Sequence, residues 1–157
     1  MRHIEPYRLR FFVAESNRIE GLATTTSQEV EAHEDFLRLE VPTVGGLETL
    51  VSVLAPGHRL RREVGYNVRV DTHIAPPGGP DIEPELNNLL DRIAKGYLTA
   101  FSAHCQYETL HPFTNGNGRS GRALWLWQMI RPPYNYDLSL KFLHMFYYQA
   151  LRDYRNG

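Results

Sequence analysis

The chain places its most reactive residue types in one stretch, LHPFTNGNGRSGR, residues 110–122. It holds one imidazole, His111, then a run of small and amide side chains, Thr114, Asn115, Gly116, Asn117 and Gly118, then two guanidiniums, Arg119 and Arg122. Pro112 disfavours the α region at His111, so a helix through AHCQYETL should end there and leave the imidazole at its mouth. The glycines allow a tight turn whose backbone can come close to a ligand. If the next helix begins near Asn117, its unpaired amides and the positive end of its dipole face that turn. Arg119 and Arg122 then lie three apart on one face, where they oppose the dipole and would serve stability poorly. A bound polyanion reverses that sign, and each charge-assisted hydrogen bond to phosphate is worth roughly 1.5–3 kcal/mol. On the residues alone two readings stand: an oligophosphate cradle beside a histidine, or a capped turn with solvated arginines. The stretch is not a Walker loop, because GxxxxGK(S/T) is absent.

The elements that must carry this loop can be read along the chain. YRLRFFVAESNRIEG spaces Leu9, Phe12, Val13 and Ile19 as an opening helix ending near Gly21. TTTSQEVEAHEDFLRL offers threonines and Ser27 as N-caps of a second helix, and TVGGLETLVSVLAPG a third, closed by Pro56 and Gly57. Val68, Val70, Thr72 and Ile74 alternate with polar residues, which predicts a short strand or a hairpin turning near Asp71. Glu83 and Pro84 open a segment with Leu86, Leu89, Leu90, Ile93, Tyr97 and Phe101 on one stripe, broken near Gly96. A helix after the loop stops at Pro132 and Pro133, and a last one is capped by Asp137 or Ser139. The expectation is a single all-α domain with one small β element.

Composition narrows the partners. The 157 residues suffice to bury a core, 42% are hydrophobic, and the formal net charge of -1 gives no polyanion-binding excess, so nucleic acid is not expected. Lys95 and Lys141 are the only lysines, so positive charge is mainly guanidinium, suited to bidentate recognition of carboxylate or phosphate. Cys105 is the single cysteine, which excludes an internal disulfide and any CxxC pair. No apolar leader or membrane-length run is seen, so cytoplasm is the expected compartment and no membrane partner is expected. His104, seven residues before His111, reads as a packed helix histidine and Cys105 as a buried small hydrophobe. Trp125 and Trp127 read as packing residues on one helix.

HPFTNGNGRSGR resembles the signature of the Fic family, HPFx(D/E)GNGRxxR, at every specified position but one. AHCQYETL is similar to the family's central helix, GYNVRVDTHIAPPGG to its flap hairpin, and FYYQALRDY to a late helix beside the nucleotide pocket. The resemblance implies an all-α Fic fold, a central helix pair around an HPF loop with a small β-hairpin flap. Over residues 1–157 it implies a single Fic domain with the flap at 65–80 and the catalytic loop and helix start at 111–122. No appended targeting domain is expected. It further implies a protein adenylyltransferase that moves AMP from ATP to a Ser, Thr or Tyr hydroxyl of a target protein. His111 would be the general base, a task its near-neutral pKa suits. Gly116, Asn117 and Gly118 would form the anion hole, and Arg119 and Arg122 would hold the β and γ phosphates. One of Tyr147 and Tyr148 would lie near the adenine, and the flap residues Val68, Val70 and Asp71 would dock an extended target segment by main-chain pairing.

Asn115 departs from the pattern, standing where the family has the carboxylate that holds a divalent cation. An amide can ligate Mg²⁺ but brings no charge, so metal binding should be weaker and depend on the nucleotide. The departure also leaves open transfer of another nucleotide or phosphate-linked group, or a nucleotide-binding regulatory module with little catalysis. SNRIEG, residues 16–21, fits the family's inhibitory pattern (S/T)xxxE(G/N), which implies an N-terminal inhibitory helix over 1–24. Ser16 and Glu20 would carry it, with Glu20 pairing to Arg122 in place of the γ phosphate. The bland alternative is a helix end closed by Gly21 with a solvated glutamate. A homo-oligomer is left open.

Overall fold

The computed structural model describes residues 4–134 and 154–155. Among these residues six helices and one two-stranded hairpin follow in the order α1 (Pro6–Ile19), α2 (Ser27–Arg38), α3 (Val44–Leu54), β1 (Arg69–Val70), β2 (His73–Ile74), α4 (Ile82–Ala94), α5 (Ala100–Leu110) and α6 (Asn117–Met129). The strands pair antiparallel, Arg69 with Ile74 and Val70 with His73, around Asp71 at φ 53°. The result is the helical fold with a small hairpin that the sequence predicts. Among the described residues no helix is long and apolar enough to cross a membrane.

Local chemistry sets the helix ends. α1 carries Pro6 in its first turn and closes on Gly21 in the left-handed region. α2 opens on a full capping box: Thr26 Oγ1 accepts from the Glu29 N–H, and the Glu29 carboxylate accepts from the Thr26 N–H. Thr43 and Thr99 cap α3 and α5 from one side only, each accepting from an N–H three residues on.

α6 lies at the centre, in contact with α1, α2, α3 and α5. Ala123, Leu124, Leu126 and Trp127 pack there with Leu47, Leu50 and Val51 of α3 and with Tyr107 of α5. Few positions of α6 reach water, so any polar side chain on it must find a partner inside. Leu86, Leu89, Leu90 and Ile93 form the buried stripe of α4. Tyr97 and Phe101 do not continue it: α4 stops at Ala94, Gly96 takes φ 72°, and both rings are exposed, at 72% and 51%. The break resets the helical register, so a stripe drawn across it does not survive. The last predicted helix and its caps, Asp137 and Ser139, lie outside the described residues.

Candidate active site

His111 caps α5 with φ 49° and ψ 60°, a left-handed conformation for a residue that the following proline bars from the helix. Such a backbone costs about 1–3 kcal/mol and must be over-determined by its surroundings. Arg61 does this. Its side chain is fully buried; Nε donates to the His111 carbonyl at 2.8 Å and Nη2 to the Leu110 carbonyl at 2.8 Å. Nη1 donates to the carbonyls of Tyr66 and Pro76, at 3.0 and 2.7 Å, so one guanidinium ties the end of α5 to both stems of the hairpin. The Arg61 N–H donates to Pro112, Leu60 bridges Phe113, and the Thr114 N–H donates to Arg59. His73 Nε2 meets the Thr109 carbonyl at 2.9 Å, which seats the hairpin over the same turn.

The loop closes on itself through Asn117. Its Oδ1 accepts from the Phe113 N–H and its Nδ2 donates to the Phe113 carbonyl, both at 2.8 Å, and Phe113 is fully buried. Gly116, at φ 80°, is the residue before α6, and the first intrahelical bond runs from the Ser120 N–H to its carbonyl. The amides of Asn117, Gly118 and Arg119 precede that bond and have no carbonyl within the helix to meet. Tyr107 and Ser120 share a hydroxyl hydrogen bond at 2.7 Å that locks α5 to α6.

A cavity of about 270 Å³ opens on this turn, lined by Glu20, Leu22, Val70, Glu108, His111 and the 115–119 run. The structure therefore brings together His111, Asn115, Gly116, Asn117, Gly118, Arg119 and Val70. Asp71 is exposed at the hairpin turn and Val68 half-buried, and neither lines the cavity. Asn117 contributes only backbone here, since its side chain is spent on Phe113. Tyr147 and Tyr148 lie outside the described residues.

Arg122 is fully buried one turn behind Arg119. Its Nε donates to Ser16 Oγ at 2.8 Å and its Nη2 to the Ser16 carbonyl at 2.9 Å and to Glu20 Oε1 at 2.7 Å. A Cβ at Gly118 would lie 2.2 Å from that Glu20 oxygen, so the carboxylate rests directly on the glycine of the turn. Glu20 thus meets Arg122 as the pattern in SNRIEG implies and is not a solvated helix end.

Two titrating groups set the electrostatics. Burial lowers the pKa of His111 to about 4, with Arg155, Arg61 and His73 adding to the effect and the backbone hydrogen bond opposing it. The near-neutral value expected of this histidine does not hold in this closed arrangement, because little water reaches the ring. Its Nδ1 lies 3.2 Å from the Glu108 carbonyl, an acceptor, so Nδ1 carries the proton and Nε2 the lone pair. Burial raises the pKa of Glu108 to about 7, against the pull of Arg122 and Arg155. Its Oε2 is 3.8 Å from His111 Nδ1 and its Oε1 has no hydrogen-bond partner among the described residues.

The donor set does not fit a metal ion held by protein alone. Among the described residues no three His, Cys, Asp or Glu side chains converge, and Asn115 Oδ1 already accepts from the Gly116 N–H at 2.7 Å. His104 and Cys105 are buried packing groups, as expected; burial lowers the imidazole to about 3 and raises the thiol to about 11.

Sequence reasoning missed Arg61, Glu108 and Glu29. Arg61 sits in HRLRREV, where nothing distinguishes it from a surface charge. Glu108 could have been found, since a residue three before His111 shares its helix face.

A turn of backbone amides, two inward guanidiniums and a sequestered imidazole meet at one helical site. The Fic/DOC family model matches residues 41–129, more than half of the chain, and the chain belongs to that family. Members generally transfer nucleotides or phosphate-linked groups and use a nucleoside triphosphate with a divalent metal. A crystal structure of a Fic family protein from Desulfovibrio desulfuricans G20 shares the fold at a TM-score of 0.64 and 23% identity, covering 96% of this chain. The match takes in 57% of that protein, so this chain spans little more than half its length. No curated protein matches.

Proposed function

We propose that the chain is a protein adenylyltransferase, moving AMP from ATP to a Ser, Thr or Tyr hydroxyl of a target protein, with Glu20 as its inhibitor. The observation that supports this best is the convergence of His111, the amides ahead of Ser120 and Arg119 on one cavity, with Arg122 directly behind. Triphosphate oxygens would take the amides and the two guanidiniums, which also relieves the clash between those cations and the helix dipole. The target hydroxyl oxygen attacks the α phosphorus in line. Its proton passes to His111 Nε2, the bond from the α phosphorus to the bridging oxygen breaks, and pyrophosphate leaves. Val70 at the cavity rim would let the hairpin present an extended target segment by main-chain pairing.

The divalent cation, Mg²⁺, would arrive on the phosphates and neutralise charge on the departing group, with Asn115 offering at most one neutral oxygen. That weak offer is also the observation favouring the second reading, a donor other than ATP. In the resting chain Glu20 occupies Arg122 and covers Gly118, so a γ phosphate must displace it.

The test is to incubate the Glu20→Gly chain with Mg²⁺ and each nucleoside triphosphate and to weigh the protein and candidate targets. A mass gain of one AMP with ATP alone is expected. His111→Ala in that background should lower transfer by roughly 10²–10⁴ with ATP binding kept. Retained transfer in the folded double variant would remove His111 from the mechanism, and a different added group would replace the donor.

A further inference from the structure

We propose that Glu29 is a second inhibitory carboxylate, acting on Arg119 as Glu20 acts on Arg122, so that the inhibitory unit is α1 together with the first turn of α2. This rests on the reading of Arg119 as a phosphate ligand. Arg119 is buried, at 6% exposure, and its Nε has no hydrogen-bond partner among the described residues. Among the described residues its one ion pair is with Glu29, Nη1 to Oε1 at 3.8 Å, both side chains being shielded from solvent at 8% and 13% exposure. A guanidinium this under-satisfied is a poised anion receptor; Glu29 pairs with it without closing a hydrogen bond, and the Glu20 carboxylate acts on it across space as well.

The other carboxylate oxygen fixes Glu29 in place. Oε2 accepts from the Thr26 N–H at 2.8 Å, from Thr26 Oγ1 at 3.3 Å and from Asn17 Nδ2 at 3.3 Å. Asn17 is fully buried in α1; its carbonyl accepts from the N–H groups of Glu20 and Leu22, and its Nδ2 also donates to the Thr24 carbonyl. One side chain therefore joins three things: the cap of α2, the turn that carries Glu20, and Arg119. Glu20 and Glu29 both lie before the family-matched region 41–129, whereas both arginines lie within it. Two positive charges of the catalytic segment thus meet two negative charges from the same N-terminal unit. A nucleotide that displaces Glu20 still finds Arg119 opposed by Glu29.

Glu29→Gln separates charge from cap, because glutamine at this position also completes a capping box. Isothermal titration with ATP, ADP and adenosine, on wild type, Glu20→Gly, Glu29→Gln and the double variant, reads the result. Glu29→Gln should tighten ADP and ATP alike by about three- to tenfold and leave adenosine unchanged. Glu20→Gly should tighten ATP more than ADP, and the two gains should multiply in the double variant. If Glu29→Gln loosens the fold yet leaves ADP affinity where it was, or moves adenosine equally, Glu29 is only a clamp and the proposal fails. If no variant binds either nucleotide, the phosphate reading of Arg119 falls with it. Should the glutamine chain not fold, Glu29→Asp keeps an acidic cap and withdraws the carboxylate by one methylene, and carries the same expectation at smaller size.

Discussion

The HPF loop and the α1–α2 segment meet at the same two arginines, yet they are held by different kinds of contact. The loop is fixed through backbone: Arg61 on four carbonyls, Asn117 on both polar groups of Phe113, Leu60 bridged to Phe113. Beside their apolar packing, α1 and α2 hold these two arginines largely through side chains, Glu20 and the Ser16 hydroxyl on Arg122 and Glu29 near Arg119. Backbone contacts have no soluble competitor, whereas a carboxylate on a guanidinium can be exchanged for a phosphate. On the proposed function, the difference separates what must keep its geometry from what must yield.

The comparison breaks most visibly at Arg61. Arg61→Met keeps bulk but leaves four carbonyls without their donor, each lost bond costing about 1–3 kcal/mol. Urea unfolding should show a loss of more than about 3 kcal/mol, and hydrogen exchange should rise around Thr109–Thr114 and the hairpin more than in α2. Unchanged protection there would mean the loop holds itself.

Charge on the other side is tested by Glu20→Gln, which keeps shape and removes the anion. It should recover most of the transfer gained by Glu20→Gly, a gain of about 5- to 150-fold, equivalent to a coupling of roughly 1–3 kcal/mol. Recovery by glycine alone would assign the inhibition to packing.

Acidification probes the buried groups of both regions together. His33, His104 and His111 have pKa values lowered by burial to about 4, 3 and 4, so their neutral forms belong to the folded chain. The unfolded chain takes up their protons first, and the stability they contribute is present above about pH 6.5 and lost as pH falls toward 4. Glu108 runs oppositely, its stabilising protonated form being lost as pH rises from about 4.5 toward 7. Three groups outweigh one, leaving a net uptake of nearly two protons on unfolding, and stability should fall on the order of 2 kcal/mol per pH unit between pH 6 and 5. A flat urea midpoint over that interval would contradict the burial of these imidazoles.

The smallest effect is expected at Asn115. Asn115→Asp adds a charge where the loop now closes on Gly116, and should tighten Mg²⁺ in the nucleotide complex several-fold at limiting metal, fading at saturation. Loss of transfer with ATP but not with another donor would favour the second reading.

Much of this was legible because it is local. Pro112 ends α5 at His111, Gly116 turns the chain, and Gly21 closes α1, each within a few residues of its cause. The contact of Glu20 with Arg122 spans most of the chain and was reached only through a family pattern. Arg61 was invisible, since its partners are carbonyls, which every residue carries. The stripe through Tyr97 and Phe101 failed because a periodicity argument assumes one unbroken helix, and Gly96 interrupts it.

The placement of Glu20 on Gly118 carries an asymmetry for sequence drift. On the proposed reading the space above that glycine holds a carboxylate now and a phosphate oxygen once nucleotide binds, and a methyl group there must push the Glu20 carboxylate aside. On that reading, replacing Glu20, Ser16 or Asn17 would loosen the occupant and leave the seat intact, so release from inhibition would have many routes through the N-terminal third. A side chain at Gly118 would instead crowd the seat for both anions at once. Variation among descendants of this chain should therefore gather in the N-terminal segment and spare the glycine beneath it.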